Sequence, residues 1–95
     1  MKKIEIDDFE IGMSIYFQNK KYGYKATGII KNEEYSDYSN NYFVIEPREV
    51  FENTQNKFIA TFPIRFSSTY ANRGWEFYEI NSINDFKEKY PEYFI

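Results

Sequence analysis

The sequence predicts a small, mainly β domain of the α+β kind, a twisted antiparallel sheet of about five strands with one short C-terminal helix. Three observations carry that prediction. Apolar side chains alternate in "FEIGMSIYFQ" (Phe9–Gln18) and in "KFIATFPIRF" (Lys57–Phe66), the period-two signature of a strand with one buried face. Aromatic residues make up 22% of the chain, with ten Tyr and ten Phe, and both types favour strands and bury large areas. Helical spacing is clearest only at the end of the chain, in "NSINDFKEKY".

Each element follows in order. In "FEIGMSIYFQ", Phe9, Ile11, Met13, Ile15 and Phe17 share one face, and Gly12, Ser14, Tyr16 and Gln18 share the other. The polar "NKKYG" (Asn19–Gly23) reads as a turn into a hairpin partner, "YKATGII" (Tyr24–Ile30), where Gly28 implies a bulge or a close backbone approach. "KNEEYSDYSNN" (Lys31–Asn41), rich in Asn, Ser and acid, reads as a solvated loop long enough to be functional or mobile. "YFVIE" (Tyr42–Glu46) is a short strand closed by Pro47, and "REVFENTQN" (Arg48–Asn56) carries a weak helical turn.

In "KFIATFPIRF", Phe58, Ala60, Phe62, Ile64 and Phe66 fall on alternate positions, with Pro63 on the opposite parity. Proline cannot donate to a ladder, so this strand is expected at a sheet edge or bent at Pro63. Its large apolar face belongs in the core, because burying each such side chain stabilises by about 1.5–3 kcal/mol. "SSTYANRG" (Ser67–Gly74) reads as a loop, and "WEFYEI" (Trp75–Ile80) as a strand with Trp75 and Phe77 on one face and Tyr78 and Ile80 on the other. For the closing helix, Asn81 or Ser82 can cap, and Asp85 stands where a capping box needs an acid. Ile83, Phe86 and Tyr90 share one face, and Pro91 ends the helix. The apolar tail "EYFI" (Glu92–Ile95) is expected on the sheet.

The pattern Phe9-x-Ile11-Gly12-x-x-Ile15-x-Phe17, followed by Gly28-x-Ile30, resembles the first hairpin of SH3-like barrels. The resemblance covers that hairpin alone. It implies a partly open barrel as the fold and carries no function with it.

Composition narrows the chemistry. Ninety-five residues correspond to one domain, residues 1–95. The net charge is −3, and the twelve Lys and Arg are scattered, densest at Lys2–Lys3 and at Lys20, Lys21 and Lys25. That is not the clustered basic footprint of a protein that holds nucleic-acid backbone. Without cysteine there is neither a disulfide framework nor a thiolate zinc site. No apolar run reaches the roughly 18–20 residues of a spanning helix, and "MKKIEIDDFEIGM" turns acidic where a signal peptide would be apolar. A cytoplasmic location is expected.

The chain also lacks histidine, the commonest general base and a ligand of most transition-metal sites. The adjacent pairs Asp7–Asp8 and Glu33–Glu34 point to opposite faces if they lie on strands, so adjacency makes no dyad. Glu33, Glu34, Asp37 and Asn41 offer oxygen ligands without the spacing of a calcium loop. Ser67, Ser68 and Thr69, with Lys57 or Arg65 as neighbours, lie outside any G-x-S-x-G or S-x-x-K pattern. Four scattered glycines make no phosphate loop. The chain is expected to be no enzyme and to need no cofactor or metal.

Tyrosine is the remaining signal. It supplies rigid, amphipathic contact area with few rotors to freeze, and interfaces are enriched in Tyr, Trp and Arg. Tyr35, Tyr38 and Tyr42, set among Glu33, Glu34 and Asp37, and the later group Tyr70, Arg73 and Trp75 are the expected partner contacts. The function expected is that of a non-catalytic protein-binding module: a small inhibitor, of the phage-encoded or immunity type, that occludes a partner's surface. The partner would be another protein, such as a nucleic-acid-processing enzyme or a toxin, and its covered surface a basic groove. The alternative is a single-stranded nucleic-acid- or nucleotide-binding domain using "YFQNKKYGYK", where Tyr16, Tyr22 and Tyr24 interleave with Lys20, Lys21 and Lys25. Exposed aromatic platforms hold bases at about 1–3 kcal/mol each, but the acidic balance weighs against that reading. The plainer alternative in both places is a solvated loop or hairpin whose tyrosines cover a sheet edge.

Overall fold

Six strands join one antiparallel sheet in the computed structural model, which describes residues 1–35, 41–54 and 63–94. They are β1 (Lys2–Ile4), β2 (Ser14–Asn19), β3 (Tyr24–Tyr35), β4 (Asn41–Asn53), β5 (Ile64–Phe66) and β6 (Trp75–Glu79), in the spatial order β1-β6-β2-β3-β4-β5. A four-residue helix, α1 (Ser68–Ala71), stands between β5 and β6, and α2 (Ile83–Lys89) follows β6. The sheet is an open one. β6 is inserted between the two N-terminal strands, pairing Ile4 with Phe77 on one side and Phe17 with the same Phe77 on the other.

Two apolar layers result. On one face Ile4, Ile15, Phe17, Ile30, Ile45, Phe66, Trp75 and Phe77 form the main core. Phe66 on β5 meets Trp75 at 4.9 Å and Phe77 at 5.2 Å between ring centroids, both edge-to-face. The sheet therefore curls until its β5 end reaches over β6. On the other face α2 lays Ile83, Phe86 and Tyr90 against Tyr16, Tyr78 and Ile80, with Phe86 stacked 5.3 Å from Tyr16. The doubly apolar pattern of Trp75–Ile80 is explained by these two coverings. Ser82 caps α2 through its hydroxyl, which accepts from the Asp85 amide at 3.0 Å. The Asp85 carboxylate is turned to Asn81 Nδ2 and to the Lys89 ammonium.

Several boundaries differ from the expected ones, each for a physical reason. The strand expected over Phe9–Gln18 begins only at Ser14, because Glu10–Met13 is a tight turn: the Met13 amide donates to Glu10 O at 3.0 Å and Gly12 takes φ 89. The turn lifts Ile11 out of the apolar alternation, 59% exposed. The expected loop Lys31–Asn41 is strand at both ends, since β3 runs through Tyr35 and β4 starts at Asn41. Cross-strand pairing of Asn32, Glu33 and Glu34 with Val44, Phe43 and Tyr42 supplies what their own strand propensity does not. β4 continues past Pro47 to Asn53 in place of the helical turn expected after it. Pro47 lies opposite Gly28, beside a register shift between Thr27 and Gly28, a place where a missing donor is tolerated.

The expected loop Ser67–Gly74 contains α1, capped by Ser67 Oγ accepting from the Tyr70 amide at 3.1 Å. β1, three residues long, raises the strand number from the expected five to six. Pro63 directly precedes β5, the last strand in the sheet order, and Ile64 and Phe66 are buried as expected. Phe58, Ala60 and Phe62 lie outside the described residues, as does the docking expected of the final side chains.

Candidate functional site

Two groups of the expected contact residues stand at opposite ends of β3, which at about 3.3 Å per residue is nearly as long as the 42 Å long dimension of the molecule. At one end is the β2–β3 turn. Asn19, fully buried, accepts from the Tyr22 amide through Oδ1 at 3.2 Å and donates from Nδ2 to the Arg73 carbonyl at 3.2 Å. Gly23 closes the turn at φ 63, and its carbonyl accepts from the Thr54 amide at 3.0 Å. Asn19 thus joins the Lys20–Tyr22 turn to the Arg73–Gly74 turn.

Around that tie the rings of Tyr22 and Tyr70 both lean on Trp75, at 6.2 and 5.8 Å, and Tyr70 stacks on Phe66 at 5.4 Å. Burial pushes the Tyr70 phenol up from its ordinary range, the nearby Tyr22 adds to the rise, and Trp75 and Arg73 oppose it. Lys20, Lys21 and Arg73 are exposed at the rim. Two groups far apart in sequence, Lys20–Lys21–Tyr22 and Tyr70–Arg73, therefore form one basic, aromatic patch. Nothing in the local sequence pattern announces this; the signal is Asn19, a polar residue in an otherwise apolar alternation.

Three expected contact residues belong to the core instead. Tyr16 is 2% exposed, Tyr24 1% and Trp75 7%, so none offers an open ring for a base or a partner. The cause is strand parity: Tyr24 and Trp75 face the main core, and Tyr16 lies under α2. Burial pushes the Tyr24 phenol up from 10.0 to about 12. The Tyr16 hydroxyl donates to Gln18 Oε1 at 2.9 Å, and Tyr78 donates to Glu76 Oε2 at 3.0 Å. That second bond is the chief reason Glu76 ionises below its ordinary range. Lys25 is matched by Glu52 at 3.6 Å.

At the other end β3 runs on past β2, while β4 stays paired with β5 as far as Phe43. Ile30 ties β3 to the β2 side, donating to Met13 O at 3.0 Å and accepting from the Gly12 amide at 2.7 Å. Beyond it the register pairs Glu33 with Phe43, Glu34 with Tyr42 and Tyr35 with Asn41. Tyr42 is half-buried, and Phe43 is anchored edge-on to Phe9 at 5.3 Å. Lys31 is paired with Glu46 at 3.6 Å. The expected contacts Glu33, Glu34, Tyr35 and Tyr42 are thus brought together on one hairpin, while Asp37 and Tyr38 lie outside the described residues.

A groove of about 330 Å³ between β1, β6 and α2, not anticipated from sequence, has its charges mutually paired: Lys2 with Glu79 and Lys89 with Asp85. Among the described residues no group of three or more His, Cys, Asp or Glu is arranged to hold a metal ion, and no helix is long and apolar enough to cross a membrane. Comparison with family models, curated proteins and solved structures gives no match, so function is argued from this geometry alone.

Proposed function

We propose that this chain is a non-catalytic protein-binding module, one 95-residue cytoplasmic domain that occludes a partner's surface with the outer half of its β3–β4 hairpin. Its place is that of a small inhibitor of the phage-encoded or immunity type, and its target surface is a basic groove, as on a nucleic-acid-processing enzyme or a toxin. The observation that carries the reading is the hairpin's length: β3 continues for five residues past Ile30, taking Glu33, Glu34 and Tyr35 beyond β2 while Tyr42 and Phe43 hold the opposite strand. Acidic residues on a projecting element speed encounter with a basic surface and reject acidic ones, and tyrosines add contact area at small entropic cost. The curl that sets Phe66 on Trp75 and Phe77 supports a partly open, SH3-like barrel as the scaffold behind it.

A pull-down from nuclease-treated lysate tests the reading. One stoichiometric protein is expected, and the combined variant Glu33→Lys, Glu34→Lys, Tyr35→Ala is expected to lose it. At the under about 0.5 kcal/mol usual for a surface substitution, the three together should leave the melting temperature within about 12 °C. Full recovery by the folded variant sinks the assignment.

A second reading is favoured by one observation, the convergence of Lys20, Lys21 and Arg73 on the half-buried Tyr22 and Tyr70. It makes that end a site for single-stranded nucleic acid. Oligonucleotide affinity that falls steeply with salt, and falls again in Lys20→Glu, Arg73→Glu, would favour it over the first.

A further inference from the structure

We infer that the end of the sheet around Glu79 is a second contact for the same partner. It receives a short basic, amphipathic segment, with apolar side chains seated beside Met1 and Ile11 and cationic ones over Glu10 and Glu79. The inference rests on the binding role proposed above and names the chemistry of the segment bound.

The surface wraps around the end of β6. The groove of about 330 Å³ between β1, β6 and α2 has Glu79, the last residue of β6, in its wall. Two further hollows, of about 370 Å³ each, share that residue with it. The groove and the hollow beside the Glu10–Met13 turn also share Ile80 and Asn81. The Ile80 amide donates to Ser14 O at 3.2 Å, which fixes the exit from β6 against the entry to β2, so the sheet itself holds these walls. The turn on the far side is tied in turn to Ile30, from which β3 runs on into the hairpin, so one partner can cover both places.

Two independent features say what belongs there. Met1 and Ile11 are the two large apolar residues left exposed among the described residues, at 47% and 59%, and both line this surface. Met1 stands beside the buried Ile80 and Phe86, and Ile11 beside Met13. Exposed apolar groups that gather in one concavity mark a binding surface, where scattered ones would mean nothing. The second feature is charge. Asp8, Glu10, Glu79 and Asp85 line the hollows with two lysines, Lys2 and Lys89, which are already matched by Glu79 at 4.0 Å and by Asp85 at 3.3 Å. Asp8 and Glu10 carry charges that neither lysine matches. A cationic segment is therefore attracted, while a second copy of this chain, with net charge −3, is repelled. Apolar seats separated by carboxylates fit a segment in which leucine-like and arginine- or lysine-like residues alternate.

The probe is the capped peptide Lys-Leu-Arg-Leu-Lys, titrated into the isotope-labelled full chain and followed by amide chemical shifts. Saturable shifts are expected at Glu79–Asn81 and at Glu10–Met13. Lys-Ser-Arg-Ser-Lys, with equal charge and no apolar side chains, should bind about tenfold more weakly, and so should the first peptide to Glu10→Lys, Glu79→Gln. Ile11→Ser should weaken binding severalfold and leave the melting temperature unchanged, because Ile11 is in water; it carries the test if the charge variant does not fold. Equal binding of the serine peptide, equal binding by both variants, shifts confined to other parts of the chain, or no shifts at all overturns the inference. If the peptide fails while the lysate partner is still captured through Glu33–Tyr35, the Glu79 site falls and the binding module stands. Peptide binding around Glu79 without any lysate partner would do the reverse.

Discussion

Gly28 is where one missing side chain sets the shape of the sheet. A Cβ there would stand 2.8 Å from the Glu46 carbonyl oxygen, 2.9 Å from Ile45 Cγ2 and 3.1 Å from Phe17 Cε1. The nearest of these is backbone and cannot swing away, so β3 and β4 approach this closely only around glycine. Gly28→Ala is expected to destabilise by about 1–3 kcal/mol, the usual range for overpacking, read as a lower urea midpoint with an unchanged slope. An unchanged midpoint would mean that the strands separate freely here. Tyr24 makes a second residue-level prediction. Its phenol is held neutral by burial up to about 12, against 10.0 when unfolded. The folded state thus keeps a proton that the unfolded state gives up, and stability, complete below pH 10, declines as pH rises from 10 toward 12. Tyr70, raised in the same direction, adds to the decline. Tyr24→Phe should flatten the alkaline fall in urea midpoint relative to the parent chain; an identical fall would clear Tyr24 of the effect.

Among the elements, α2 is the clearest case of packing over propensity. Seven residues are too few for a helix to persist alone in water, so its order comes from Phe86, buried between Tyr16, Phe51 and Tyr90. Phe86→Ala is expected to cost about 3–5 kcal/mol, and Ser82→Ala, which removes only the cap, about 1 kcal/mol. Urea denaturation of the two variants checks the order; a cap loss as large as the ring loss would reverse the account. This helix was legible in the sequence, because cap, spacing and terminal proline all lie within ten residues, although Asp85 turns to Asn81 and Lys89 and closes no capping box. β6 was legible for the same reason. The hairpin was not, since Asn32, Glu33 and Glu34 have no strand signal of their own and depend on Tyr42–Val44 across the ladder. β1 was invisible because three residues carry no period, and the alternation from Phe9 ran too far because it does not register a glycine turn.

For the molecule as a whole, the acidic, tyrosine-bearing candidates could be named from sequence, but their placement could not. Parity removed Tyr16, Tyr24 and Trp75 to the interior, and one buried amide, Asn19, assembled a basic patch from residues fifty positions apart. The insertion of β6 between β1 and β2 has a consequence in time. A ribosome delivers the chain from the N-terminus at about 5–20 residues per second, and the β2–β3–β4 meander can zip as it emerges. β1 must wait unpaired, and Phe17 unroofed, until Trp75 and Phe77 leave the exit tunnel. The nascent chain therefore closes last around its most distant contacts, the kind of pairing whose loop-closure entropy must be met before the contact forms.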